Sequence, residues 1–369
     1  MSPSTKLCRT LPGLLALLLF SCKESGPVDI TVPAFPYPEP YAWNSSTPQA
    51  QQMDPDSIAL AVQELQALPY VESFVLVRNG FLITEEYYTQ EGKHRFASVA
   101  SVSKSFSSAL VGIALREKFL DSLGQKLMSF FPEYDSPTLD PRKRDITIEH
   151  LLTMRSGFDL MENADYSAML NANTDWMKEI ISAPMRTSPG LAFNYSSLNV
   201  HLLSGILTKA SRMSTMRLAQ NFLLQPLTIS VISWPKDPQE YYFAGSGLVF
   251  YPRDLARFGY LYITRGWSNG QPIVPAEWVE RSLQAHDDNS RTWGEFKNVK
   301  YGYLWWTARW NTSDVFLAVG FGGQFIIGVP RYNLVIVITS DLYCTDAEAD
   351  LRHTALLEIV ARLLRAVVN

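Results

Sequence analysis

The sequence predicts an α/β fold of the α+β kind. One antiparallel sheet is built from both ends of the chain and flanked by helices, and a helical region is inserted between them. Three observations carry this. Strand-like runs lie near the start, over 73–88, and return late, over 303–340. From about Leu120 to Ile263 the apolar spacing is mainly helical. A last helical segment, Asp346 to Val367, is available to cover the sheet. The 369 residues are 47% hydrophobic, enough for a large core. A net charge of -4 gives no reason to expect a nucleic-acid partner.

The chain opens with a targeting segment. Lys6 and Arg9 make a basic start, and Leu11 to Phe20 is apolar but short for a membrane span. The run ends Leu19-Phe20-Ser21-Cys22, which resembles the lipobox of bacterial lipoproteins. That resemblance implies lipidation of Cys22, export, and a periplasmic or cell-surface protein held to a bacterial membrane. Residues 1–22 are therefore read as a lipoprotein signal peptide. Residues 23–42, with Pro27, Pro33, Pro36, Pro38 and Pro40, are read as an extended tether. Residues 43–369 form the folded domain, with a helical subregion over about 120–263. With Cys8 removed and Cys22 lipidated, the mature chain is expected to hold no internal disulfide.

Within the domain, Asp54-Pro55 is a helix start, with Asp54 as N-cap and Pro55 at the first helical position. That helix runs to about Leu68. Ser73–Arg78 and Phe81–Tyr88 read as strands, and Asn79-Gly80 between them is a two-residue hairpin turn. Helices are expected over Phe106–Leu115, Ile148–Met154, Asp175–Ile181, Leu198–Ala210, Thr215–Leu224 and Arg253–Ile263. Strands follow over Tyr303–Ala308, Val315–Val319, Phe325–Val329 and Leu334–Ser340.

The chemistry centres on Ser101 and Lys104. A serine and a lysine three residues apart lie on one face of a helix. A serine hydroxyl is a weak nucleophile until a base takes its proton. Burial disfavours an ammonium, so a lysine in an apolar wall can be that base. The bland reading of Ser101 is an ordinary helix N-cap. A second such pair, Ser233 and Lys236, holds Pro235 between them and reads as chance. There is no Gly-x-Ser-x-Gly elbow, His-Glu-x-x-His, Cys-x-x-Cys or P-loop. The five histidines are scattered, and His150 and His201 read as packed or surface residues.

Two further clusters stand out. Phe193-Asn-Tyr195-Ser-Ser197 precedes a helix, and its bland reading makes Ser197 an N-cap. Gly320-Phe321-Gly322-Gly323-Gln324 opens a strand, where three glycines suggest close approach of backbone. Taken together, Ser101-Val-Ser-Lys104, Tyr195-Ser-Ser197 and Phe321-Gly-Gly323 resemble the serine β-lactamase and penicillin-binding protein superfamily. Within the superfamily the chain looks like the class C branch, which includes esterases and 6-aminohexanoate-dimer hydrolases. The stretches Ile148–Gly157, Ser246–Asp254 and Tyr301–Trp306 fit as well.

The resemblance implies the β-lactamase/transpeptidase-like fold and a set of roles. Ser101 becomes the acylated nucleophile, and Lys104 and Tyr195 the general-base pair. The backbone N–H groups of Ser101 and Gln324 form the oxyanion hole. Ser197, Phe321, Gly322, Gly323 and Trp305 face substrate, and no metal or cofactor is needed. Two positions depart from the β-lactamase pattern: Ser197 stands for Asn, and Phe321 for Lys. The expected function is hydrolysis of a small-molecule ester or amide through an acyl-enzyme. The alternatives are a β-lactamase or D-alanyl-D-alanine carboxypeptidase, or a non-catalytic lipid-anchored binding module. If aromatic residues line the cleft, Trp305, Trp306 and Tyr303 are the candidates; sheet core is their equal alternative.

Overall fold

The computed structural model describes residues 39–287 and 289–368. The signal segment with Cys22, and most of the tether, lie outside the described residues. Eight strands form one sheet: β1 (Val71–Arg78), β2 (Phe81–Tyr87), β3 (Arg291–Trp293), β4 (Phe296–Tyr301), β5 (Trp306–Trp310), β6 (Ser313–Gly320), β7 (Gln324–Val329) and β8 (Leu334–Ser340). Their order is β2-β1-β8-β7-β6-β5-β4-β3 and every pairing is antiparallel. The two ends of the chain meet where β1 pairs with β8, with Val75 opposite Val337.

Local sequence explains the joints. The β1–β2 hairpin closes with Arg78 opposite Phe81, and Asn79 and Gly80 both have positive φ, as a type I′ turn requires. The run Leu334-Val-Ile-Val-Ile338 is apolar throughout because both faces of β8 are covered. Leu334, Ile336 and Ile338 meet helices α1 (Pro55–Gln66) and α9 (Asp346–Leu363) on one side. Val335 and Val337 join the core on the other side, with α2 (Ser103–Arg116) and α7 (Pro252–Ile263). A strand alternates its side chains, so one apolar run serves two layers. Asp54 caps α1 through Ser57, and Thr345 and Glu348 form a capping box on α9.

The inserted region supplies α3 (Ile148–Leu152), α4 (Glu162–Leu170), α5 (Trp176–Ser182) and α6 (Ser197–Ser211). Segment 215–227 is helical with one π turn over Gln220–Leu224. Helix α8 (Ala276–Ser282) follows α7. The structure departs from the sequence expectation at several points. The strand expected from Tyr303 starts at Trp306, because Gly302–Trp305 bend back on themselves through Gly302 N–H donating to the Trp305 carbonyl. Helix α4 and the edge strands β3 and β4 were not anticipated. Ser196, not Ser197, caps α6 by accepting from Asn199 N–H.

Candidate active site

The turn that carries Ser101 is built from hydrogen bonds, not from propensity. Ser101 sits in a 3-10 turn, Ala100–Val102, that runs directly into α2. Ala100 has φ of 44°, a left-handed conformation that costs a non-glycine residue about 1–2 kcal/mol. The surroundings hold it there. Ser103 Oγ donates to the Ala100 carbonyl at 2.6 Å and accepts from Leu248 N–H at 3.1 Å. Val99 N–H donates to the Leu248 carbonyl. Segment 246–250 thus clamps the turn that carries Ser101.

Lys104 is 1% exposed and is the second residue of α2. Its Nζ is 2.6 Å from Ser101 Oγ, 2.7 Å from Ser197 Oγ and 2.8 Å from the Gly245 carbonyl. It also lies 4.7 Å from the centre of the Tyr195 ring. Ser101, Lys104, Tyr195 and Ser197, which come from two distant stretches, therefore share one site. Tyr195 is half-buried, stacked on Trp306 at 6.1 Å and edge-on to Tyr301 at 5.9 Å. Burial, then the proximity of Tyr195 and Glu162, pushes the Tyr301 hydroxyl well above its ordinary range. Tyr301 is thus held neutral as a wall of the site.

The Tyr195 loop is anchored by Asn194. Its backbone N–H donates to the Met154 carbonyl, and its side-chain nitrogen donates to the carbonyls of Phe158 and Leu160. Those bonds tie the 193–197 loop to segment 154–160. They also place a residue that the sequence did not flag. Glu162, at the first position of α4, accepts from Ser197 Oγ at 2.5 Å and from Ser197 N–H, and lies 3.7 Å from Lys104 Nζ. No motif spacing signals it; only the fold brings it in.

The third cluster lies against the first. Gly320 ends β6 beside the Ser101 turn, and a Cβ there would meet the Val99 carbonyl at 2.4 Å. Gly323 has φ of 107°, and a Cβ would meet Leu356 and Ser340 below 3 Å. The glycines are there for close approach of backbone, as the sequence suggested. Gln324 opens β7 opposite Gly320. Its side chain is occupied by Ser340, donating to the carbonyl and accepting from the N–H, so it has only main chain to offer a substrate. Phe321 lies at the tip of the turn, 37% exposed.

Two substrate-facing assignments are corrected: Ser197 is 1% exposed, with its hydroxyl taken up by Lys104 and Glu162, and Trp305 is the second. Trp305 does not face the cleft. It is 0% exposed, packed against Tyr262 at 4.4 Å, Phe316 at 5.3 Å and Phe258 at 5.9 Å. The bend at Gly302–Trp305 turns it into the core, and the next residue, Trp306, meets Tyr195 instead. Arg291 lies near the same wall, its guanidinium 5.0 Å from the Phe193 ring and 5.3 Å from Trp306, and is paired with Asp287. Arg309 pairs with Asp314 at 3.2 Å.

Residues 73–361 match the family model described as Beta-lactamase. The chain belongs to that family. It is 24% identical to the 6-aminohexanoate-dimer hydrolase of Paenarthrobacter ureafaciens, over 87% of this chain and 86% of that protein. Among solved structures, a putative 6-aminohexanoate-dimer hydrolase from Bacillus anthracis matches with a TM-score of 0.67 at 19% identity, over 90% of each chain. A putative beta-lactamase from Bacteroides dorei matches with a TM-score of 0.69 at 18% identity, over 84% of this chain and 98% of that one. The beta-lactamase family fold, a mixed helix and antiparallel-sheet architecture, is thus what this chain adopts. Family membership also makes it hydrolase-like.

Proposed function

We propose that the protein is a serine hydrolase that cleaves an ester or simple amide through an acyl-enzyme on Ser101. The observation that carries this is a buried lysine nitrogen 2.6 Å from a serine hydroxyl held in a strained turn. Lys104 accepts the Ser101 proton as Oγ attacks the carbonyl carbon. Tyr195, beside Lys104, passes a proton to the leaving group. The backbone N–H groups of Ser101 and Gln324 stabilise the oxyanion. Water, activated by the same pair, then frees Ser101. A relative named for hydrolysis of a 6-aminohexanoate dimer supports a hydrolytic reading.

Substrate preference follows from Phe321. An apolar ring stands where β-lactamases carry a cation for the substrate carboxylate, so neutral acyl groups are favoured. Arg291 is the observation that keeps a second reading open, a β-lactamase or D-alanyl-D-alanine carboxypeptidase. Its pairing with Asp287 counts against it. The test is kcat/KM on a short-chain acyl ester, a simple amide, a cephalosporin and a D-alanyl-D-alanine peptide. Faster turnover of the last two than of the ester would replace the first reading with the second. We further place the enzyme outside the cytoplasm, anchored by lipid on Cys22, from the Leu19–Cys22 sequence.

A further inference from the structure

We infer that Glu162 is a positioning residue that aims the proton-accepting lone pair of Lys104 at Ser101. The inference rests on the serine-hydrolase reading above and deepens it. It follows from counting donors and acceptors around Lys104 Nζ, which has three polar neighbours. The Gly245 carbonyl can only accept, so it takes one N–H. Ser197 Oγ carries one proton, and that proton is committed. It points to the Glu162 carboxylate, which has no proton of its own to give, at 2.5 Å. Ser197 can therefore only accept from Lys104, and it takes a second N–H. A neutral amine has two N–H groups and one lone pair. With both N–H groups assigned, the lone pair is left on the remaining neighbour, Ser101 Oγ.

Proton transfer then balances without rearrangement. The Ser101 O–H bond breaks and its proton forms the third N–H of Lys104. The Oγ electron pair forms the bond to the carbonyl carbon, and the carbonyl π electrons move to the oxyanion. The resulting ammonium has all three N–H groups aimed at acceptors and a carboxylate 3.7 Å away. Without Glu162, the Ser197 hydroxyl can rotate and donate to Lys104, competing with Ser101 for the lone pair. The fold holds Glu162 for this task. Ser197 N–H donates to its other oxygen, and Asn194 fixes the Leu160 carbonyl two residues before it. Asn163 donates to Asp346 at the start of α9, pinning the first turn of α4 from outside. The short Ser197 thus acts with Glu162, where the β-lactamase pattern has a single Asn.

Glu162→Gln keeps the size but can present only one acceptor to the two donors of Ser197. Its amide then donates to Ser197 Oγ and turns the hydroxyl proton toward Lys104. The expected result is a fall in kcat of about tenfold or more, with KM changed less than about twofold. The rate of Ser101 labelling by a fluorophosphonate probe should fall in parallel, with Tm within about 3 °C of wild type. Ser197→Ala should also slow labelling, and adding Glu162→Gln to it should cost less than about threefold more. Equal labelling by wild type and Glu162→Gln overturns the inference. So does a raised KM with unchanged kcat, which makes Glu162 a substrate-binding group. If Glu162→Gln does not fold, Ser197→Ala labelling at the wild-type rate overturns it alone. A wild-type protein that does not label at all refutes the hydrolase reading instead, which separates the two failures.

Discussion

Phe321→Lys restores the cation that the β-lactamase pattern places on the third cluster, and its effect can be sized from the structure. A charge-assisted contact to a carboxylate is worth about 1.5–3 kcal/mol when well shielded. Position 321 is at the tip of the β6–β7 turn and 37% exposed, so solvent screens the new charge. Screening brings the contact to the bottom of that range or just below it, about 1–1.5 kcal/mol, which is roughly five- to thirteenfold in kcat/KM. The gain should appear for a cephalosporin and not for a neutral short-chain ester. Stability should change by less than about 0.5 kcal/mol, because the ring lost is at the surface. Steady-state kinetics with both substrates, wild type against variant, reads all of this. An equal gain on both substrates, or no gain on the cephalosporin, would refute the idea that Phe321 sets the preference. So would a wild type that already hydrolyses the cephalosporin as fast as the ester.

Other outcomes follow from the same geometry. Tyr195→Phe should lower kcat by about a hundredfold or more, while Lys104 and Ser101 keep their contact; a change of only a few-fold in steady-state turnover would leave Lys104 acting alone. Trp305→Ala should lower unfolding free energy by about 3–5 kcal/mol in denaturant titration, as a large core ring is lost, and a surface-like cost would return Trp305 to the cleft. Burial pushes the Asp254 carboxyl up from 3.8 to about 7, despite donors from Tyr41 and Ser230 N–H. The folded state then holds a proton that the unfolded state releases first, so stability should fall as pH rises from about 4 to 7, by up to roughly 4 kcal/mol. Asp254→Asn should flatten that slope in a Tm-versus-pH series, and an unchanged slope would contradict it. Cys22→Ala should release the protein from membranes into the exported soluble fraction, and retention would point to an uncleaved anchor.

How much of this was legible in the sequence depended on how local each signal was. The Asn79-Gly80 hairpin, the Asp54 cap and the strand Leu334–Ser340 are dictated by neighbours along the chain, and all stand as read. The Ser101–Lys104 pair was readable because three residues of helix bring the two side chains together. Trp305 and Trp306 could not be separated. Alternation says only that adjacent residues face opposite ways, and the bend at Gly302 decides which one enters the core. Ser196 and Ser197 posed the same problem, since either can cap a helix. The edge strands β3 and β4 carry Arg291, Lys297, Asn298 and Lys300, which hide a strand from any apolar pattern. Glu162 had no local signature. It begins a short helix with no buried residue and reaches the site only through Asn194 and Ser197. The candidate site is built in part from contacts between segments that lie tens of residues apart, and the sequence does not display those.

The measurement that bears most directly on the central claim is intact mass and peptide mapping after reaction with a fluorophosphonate. Wild-type protein should gain a single phosphonyl group, on the peptide that contains Ser101, and Ser101→Ala should gain none while keeping the wild-type Tm. Labelling that persists in Ser101→Ala, or that maps to another serine in the wild type, would contradict the assignment of Ser101 as the nucleophile.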